Sequence, residues 1–298
     1  MIMPSDKISA NEVRYELLRP QQIIAARDRC PVVYIPLGPM EWHGPHLPFG
    51  VDFLHAYTVA LETARAVGGV VLPPLPLGTE SILEPDRVKH RGFKGHERIE
   101  GMDFPDLPLP SLYIVESSFM VVVRELVRVL RRQLFRVIVI VNGHGAKYHM
   151  SGLMRLAVEE SVPGEVAVLH AMAFDIGPGK GGHAERYETG FIQAYYPESV
   201  DLTALPKLPT PLKNTDTGIL DGPTCEGKPT PDFTVRSDQD PRYARAEEGY
   251  QDVANGVQRV SRQVKSALET WADPEAIAWS PMRILGFDNF IRQPSEID

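Results

Sequence analysis

Residues 136–145 read Arg136-Val-Ile-Val-Ile-Val141-Asn142-Gly-His144-Gly145. Five β-branched residues in a row cannot alternate between a wet and a dry face. They predict a strand buried on both sides, as in the middle of a parallel sheet. The strand runs straight into a turn in which two glycines flank one histidine. In parallel sheets ligands bind where strands end and loops begin, and a histidine placed there has little packing reason to be present.

The pattern extends outward in both directions. Residues 118–134 carry Phe119, Val122, Val123, Leu126, Val129 and Leu130 at helical spacing, with Ser117 or Ser118 available as a cap. A helix over 149–161 and a strand over 166–169 follow the central strand. Toward the N-terminus, Pro31-Val-Val-Tyr-Ile-Pro36 reads as another buried strand. A helix over 52–67 is stopped by Gly68-Gly69, and a short strand covers 70–72. Toward the C-terminus, 183–196 and 246–271 read as helices. The apolar stripe of the second (Tyr250, Val253, Val257, Val260, Val264, Leu268, Trp271) reads as core packing. Strands alternating with helices give an α/β fold, a three-layer α/β/α sandwich with a mostly parallel central sheet. No repeat and no linker divides the chain, so a single domain over 1–298 is expected. Residues 75–112 are rich in Pro, Gly and charge and show no period. They read as a long loop excursion that either walls a pocket or forms a solvated insertion. Residues 206–241 also read as loops.

The composition excludes several classes. Thirty-one basic against 39 acidic residues give a net charge of −8, the wrong sign for a phosphate-backbone binder, so no nucleic-acid partner is expected. No apolar run approaches the ~18 residues of a membrane span, and the polar start lacks a signal-peptide core, so a cytoplasmic protein without membrane contact is expected. Cys30 and Cys225 lie in no Cys-x-x-Cys, which excludes a disulfide framework and a Cys-rich zinc site.

Three polar clusters follow strands. In Gly38-Pro-Met-Glu41-Trp-His43-Gly-Pro-His46-Leu-Pro-Phe-Gly-Val-Asp52, Glu41 and His43 are two apart and point to one side of an extended backbone. Asp52 is either a helix N-cap or a third ligand; two carboxylates with an imidazole suit Zn²⁺ or Mn²⁺. His144 is the second cluster. The third is His183-Ala-Glu185-Arg-Tyr-Glu188-Thr189, whose glutamates, three apart, would share a helix face. Glu80, Glu84, His90 and His96 in the excursion would reach substrate or face water. His55 reads as a helix-surface residue, and His149 and His170 as structural.

Glu41-x-His43-Gly-Pro-His46-Leu-Pro, Asp52, Asn142-Gly-His144-Gly and His183-Ala-x-x-x-Glu188-Thr189, in that order, resemble the creatininase (creatinine amidohydrolase) family, and Pro197-Glu-Ser-Val-Asp201 continues the likeness. The resemblance implies an α/β/α fold, often hexameric, with a binuclear metal centre. By motif, Glu41 and His144 would hold one ion, His43 the second, and Asp52 would bridge them. A glutamate that completes the site in creatininase is replaced here by Ala146, and Glu188 is the natural substitute. His183 matches a proposed proton shuttle, with Glu185, where glycine is usual, placed to orient it. Ala146-Lys147 also departs from the family's Gly-Asn.

Two divalent ions per chain, Zn and/or Mn with Fe possible, would activate a shared water for attack on a carbonyl of a small-molecule substrate. A cyclic amide or related C–N bond is the first expectation. The basic residues Arg87, Lys89, His90, Arg91, Lys94 and His96 of the excursion favour an alternative, opening of an oxidised inositol or sugar-like ring ketone such as 3-dehydro-scyllo-inosose. A metal-dependent sugar isomerase or epimerase and an inactive metal-binding homologue are further alternatives.

Overall fold

The computed structural model describes residues 12–80, 101–103, 107, 109–175, 182–212 and 235–270. Its elements, in chain order, are α1 (Pro20–Arg29), β1 (Val32–Leu37), α2 (Val51–Val67), β2 (Val70–Val71), α3 (Glu116–Arg132), β3 (Val137–Asn142), α4 (Lys147–Glu160), β4 (Ala167–Met172), α5 (Arg186–Tyr195) and α6 (Ala246–Thr270). Among the described residues the strands form one parallel sheet in the order β2-β1-β3-β4.

Every residue of β1, β3 and β4 is buried, as the unbroken apolar runs require. Successive side chains point to opposite faces. Tyr34, Val137, Val139 and Val141 enter one core with α2, α5 and α6, while Val33, Ile35, Ile138 and Ile140 enter another with α3 and α4. The expected three layers result. No described helix is long and apolar enough to cross a membrane.

The sequence reading of α3 needs correction. Its buried face is Phe119, Met120, Val123, Val127 and Leu130, and Val122 and Val129 are exposed. Ser117 and Ser118 lie inside the helix and Val115 occupies the cap, with no side-chain bond. The helix α2 ends as expected, with Gly68 at φ 108°. The register sets the geometry that matters most. Leu37 pairs with Asn142, and Asn142 with Met172, so β1, β3 and β4 end side by side and deliver their following loops to one edge.

Candidate metal centre

The segment after β1 is held in place by its backbone. The Glu41 N–H donates to the Phe49 carbonyl (2.9 Å), the Leu112 N–H to Met40 (2.8 Å) and the Trp42 N–H to Ser111 Oγ (3.0 Å). Glu41 and His43 are both buried at this edge. Asp52 lies in the first turn of α2 but does not cap it. Its Oδ1 stands 3.2 Å from His43 Nε2, and its Oδ2 stands 2.8 Å from His144 Nδ1. His144 Nδ1 is also 3.3 Å from Glu41 Oε2, and His43 Nε2 is 3.6 Å from Glu188 Oε1.

Two triads of buried ligand atoms result, Glu41–Asp52–His144 and His43–Asp52–Glu188, each with its atoms within 4.8 Å of one another. They share Asp52, one oxygen to each side. All five residues singled out as metal ligands are therefore brought together. A third grouping, Glu41–His43–His183, adjoins them.

The chemistry of these atoms fits a cation. Glu41 Oε2, Asp52 Oδ2 and His43 Nε2 are buried and face only one another, His144 and Glu188, in poor hydrogen-bond alignment, a costly arrangement unless something positive joins them. The electrostatics agree. Burial opposes a charge on His43, but Glu188 and Asp52 override it and raise its pKa well above the usual value. Burial likewise opposes a charge on His144, and Glu41 and Asp52 raise it. Asp52 is lowered despite burial by the two imidazoles. A divalent ion would exploit the same carboxylates and displace those protons.

The imidazoles are fixed in orientation by their other ring nitrogens. His43 Nδ1 donates to the Glu41 carbonyl at 2.9 Å, which leaves Nε2 facing Asp52 and Glu188. His183 Nε2 donates to the Trp42 carbonyl at 2.5 Å, which leaves Nδ1 as an acceptor, 4.0 Å from Glu41 Oε1. The His43 and His183 rings lie 4.2 Å apart. Burial, reinforced by His43, lowers the pKa of His183 to about 4, so its ring is neutral at neutral pH.

His144 is held through its backbone. The Asn142 side chain donates to the His144 carbonyl (2.9 Å) and accepts from the His144 N–H (2.8 Å). His149 Nε2 donates to Asn142 Oδ1 (3.0 Å), and His170 Nε2 accepts from Asn142 Nδ2 (3.2 Å). Both histidines are buried and structural, as expected. Gly143 is required because a Cβ there would overlap the Asp52 carbonyl, so the turn after β3 presses directly on the first turn of α2. His46 is a brace, with Nε2 3.0 Å from Thr189 Oγ1, and its carbonyl takes the Asp201 N–H.

The third cluster differs from its helical reading. The helix α5 starts at Arg186, and Glu185 is its N-cap residue, so Glu185 and Glu188 do not share a helix face. Ala184 sits at φ 58°, a left-handed conformation that breaks the helix before it begins. Glu188 Oε2 accepts the Ala184 N–H at 2.5 Å and stabilises that turn. The Glu185 carboxylate lies over Gly182 and makes no described contact with His183. Burial, reinforced by Glu188, raises the Glu185 pKa to about 8.

His55 is also corrected. It is buried, stacked on Phe191 with ring centroids 4.2 Å apart, and its Nε2 is 3.0 Å from Asp252 Oδ2. Tyr113, which sequence reasoning missed, donates to Glu41 Oε1 at 2.5 Å. Burial, then Glu41 and Glu80, hold its pKa well above the usual value, so it keeps its proton. Glu80 Oε2 reaches within 3.2 Å of His144 Nε2. Trp42 and Phe49 form an apolar cluster with Met102 and Leu107 of the excursion. Glu84, His90, His96 and the basic residues 87–94 lie outside the described residues, as does Cys225. The case for a ring-ketone substrate lies there with them.

Comparisons with known proteins bear on the family and the fold. A family model described as creatininase, creatinine amidohydrolase, matches residues 16–264. The creatinine amidohydrolase of Pseudomonas putida is 27% identical over 198 residues, 60% of this chain and 69% of that protein. A crystal structure of creatinine amidohydrolase (creatininase) aligns with a TM-score of 0.62 at 21% identity, covering 87% of this chain and 98% of that one. A manganese form of creatininase aligns with a TM-score of 0.59 at 20% identity, covering 85% and 98%. The two structures establish a common fold.

Proposed function

The chain belongs to the creatininase family, and from that premise we propose that this hydrolase opens a C–N bond of a small cyclic amide at a centre for two divalent ions. One observation carries the reading: the two oxygens of Asp52 are divided between two complete, buried triads. Glu41, Asp52 and His144 would hold one ion, and His43, Asp52 and Glu188 the other. Glu188 thus supplies the ligand whose usual position is taken by Ala146. Zn²⁺ and Mn²⁺ suit such a mixed carboxylate and imidazole set, and a manganese form of creatininase is among the relatives. Two such ions would supply Lewis acidity and an activated water at neutral pH.

The chain's own groups account for the proton. Hydrolysis forms a C–O bond, breaks the C–N bond, and moves one proton of water to the departing nitrogen. His183 is suited to carry it. Its Nε2 is occupied by the Trp42 carbonyl, and its Nδ1 faces Glu41 with a free lone pair. With a pKa of about 4 it starts neutral, accepts the proton at Nδ1 and releases it readily. Glu185 does not orient this ring; its raised pKa keeps it protonated at neutral pH, so it would act as a second hydrogen-bond donor at the rim. The mouth would be lined by Trp42 and Phe49, which suits a flat ring.

The test uses the metal-loaded protein. We expect close to two ions per chain by elemental analysis, and conversion of a five-membered cyclic amide such as creatinine, or a close analogue, into a product heavier by one water. Less than one ion per chain in protein never exposed to chelator, or rearrangement without uptake of water, overturns the proposal. Ring opening of an inosose with no turnover of any cyclic amide would move the activity to the carbon–carbon bond.

A further inference from the structure

Among the described residues, the two side chains that the ends of the 75–112 excursion bring to the centre, Glu80 and the adjoining Tyr113, both reach ligands of one ion position. On the outgoing limb, the Gly78 carbonyl accepts the Ile114 N–H at 3.0 Å, and the Thr79 N–H donates to His149 Nδ1 at 3.3 Å. These bonds fix the backbone that presents Glu80 to His144. On the returning limb, Ser111 Oγ donates to Asp103 Oδ1 at 2.7 Å and accepts from the Trp42 N–H. The Tyr113 hydroxyl accepts from the Met102 N–H at 3.3 Å and donates to Glu41 Oε1 at 2.5 Å. A Cβ on Gly101 would collide with the Tyr113 ring, so the turn at 101–102 is closed down on that hydroxyl.

Glu41 and His144 are ligands of the same triad. In the second triad the side-chain braces are different ones, His43 bonded to the Glu41 carbonyl and Glu188 to the Ala184 N–H. Tyr113 fixes one Glu41 oxygen and leaves Oε2 aimed at His144. With Nδ1 of His144 facing the triad, its proton is on Nε2, and Glu80 stands at ion-pair distance from it. A carboxylate on the far nitrogen of a metal-binding imidazole raises its basicity.

Resting on the metal-centre reading above, we propose that Tyr113 and Glu80 are positioning residues for the Glu41–Asp52–His144 ion alone, so that the excursion sets the affinity of one ion and leaves the other to its own braces. The test is competition with a graded chelator on Tyr113→Phe and Glu80→Gln, with cobalt(II) absorption as a second readout. Both substitutions keep the shape of the side chain. We expect two distinguishable ion affinities in the unaltered protein. Tyr113→Phe should weaken one of them about 10–100-fold and shift that site's cobalt spectrum. Glu80→Gln should weaken the same ion by about tenfold, with the second ion unchanged in both variants. Unchanged affinities overturn the inference. So does equal weakening of both ions together with a lower Tm, which would mark a structural role. An unaltered protein that binds no ion defeats the metal-centre reading instead, and that outcome is read before any variant is made.

Discussion

Glu41, His43, Asp52 and His144 stand on loops leaving β1 and β3 and on the first turn of α2, whereas His183, Glu185 and Glu188 stand on a turn before α5 and on its first turn. The first group inherits its spacing from the sheet. The pairing of Leu37 with Asn142 places the two loops side by side, and Gly143 against Asp52 closes the gap between β3 and α2. The second group depends on a local conformation, Ala184 at φ 58°, stabilised by a carboxylate that is itself a candidate ligand. Half of the centre is thus fixed by global topology and half by one turn, and the two halves should respond differently to the same kind of change.

The largest contrast concerns the ligands. Asp52 belongs to both triads and Glu188 to one. Asp52→Asn should abolish binding of both ions and lower hydrolysis on the order of 10³-fold, since metal activation supplies several kcal/mol of barrier reduction. Glu188→Gln should cost one ion and leave the Glu41 side loaded. Elemental analysis of both purified variants checks this. Two ions retained by Asp52→Asn would show that it does not bridge.

The next contrast is in packing. Gly143→Ala drives a methyl group into the Asp52 backbone. Overpacking of this kind costs about 1–3 kcal/mol or more, read as a lower urea midpoint. It should also cost metal affinity, because the atom displaced carries the bridging ligand. A variant with unchanged midpoint and full metal content would mean that the β3 turn is not pressed onto α2.

What was legible in the sequence follows the same division. The run Val137–Val141 could only be a doubly buried strand, so the sheet, its helices and the turn bearing His144 were readable from the chain. Glu41 and His43 were readable because short spacing after a strand constrains where side chains point, whereas for Asp52 spacing left a helix cap and a ligand open and only the family resemblance implied the ligand. The backbone of Ala184 was not readable, because helical composition over 183–196 contains nothing that reports one residue's φ. His55 was misassigned for a different reason. Its partners, Phe191 and Asp252, come from α5 and α6, and no local window on α2 contains them. Tyr113 left no local signal beyond its place at the end of the excursion.

A smaller effect tests the support under the strand-borne half. Burial lowers the pKa of His170 from 6.5 to about 4, and its Nε2 accepts from Asn142. The unfolded chain therefore takes up this proton first as the pH falls. The contribution of His170 to stability is complete above about 6.5 and is lost progressively down to about 4, at no more than about 1.4 kcal/mol per pH unit. His170→Gln should flatten the fall in urea midpoint across that window. An unaltered slope would mean that other buried groups carry the whole acid response.

The smallest effect belongs to the turn-borne half. Ala184→Gly removes a methyl group where Gly143→Ala adds one. A left-handed alanine costs about 1–2 kcal/mol, which glycine recovers. Against this stand about 0.4–1 kcal/mol of extra unfolded-state entropy and about 0.8 kcal/mol for the buried methyl, which packs with Leu205 and Leu212. These nearly cancel, and the midpoint should move by less than about 1 kcal/mol in either direction. Metal content should stay the same, because the bond that matters runs from the backbone N–H of residue 184 to Glu188 and survives the substitution. A loss above about 2 kcal/mol would locate the stability of the turn in the methyl contact with Leu205 and Leu212. A lost ion at unchanged stability would show instead that Glu188 needs the rigidity alanine imposes, and the turn would then be as exacting as the sheet.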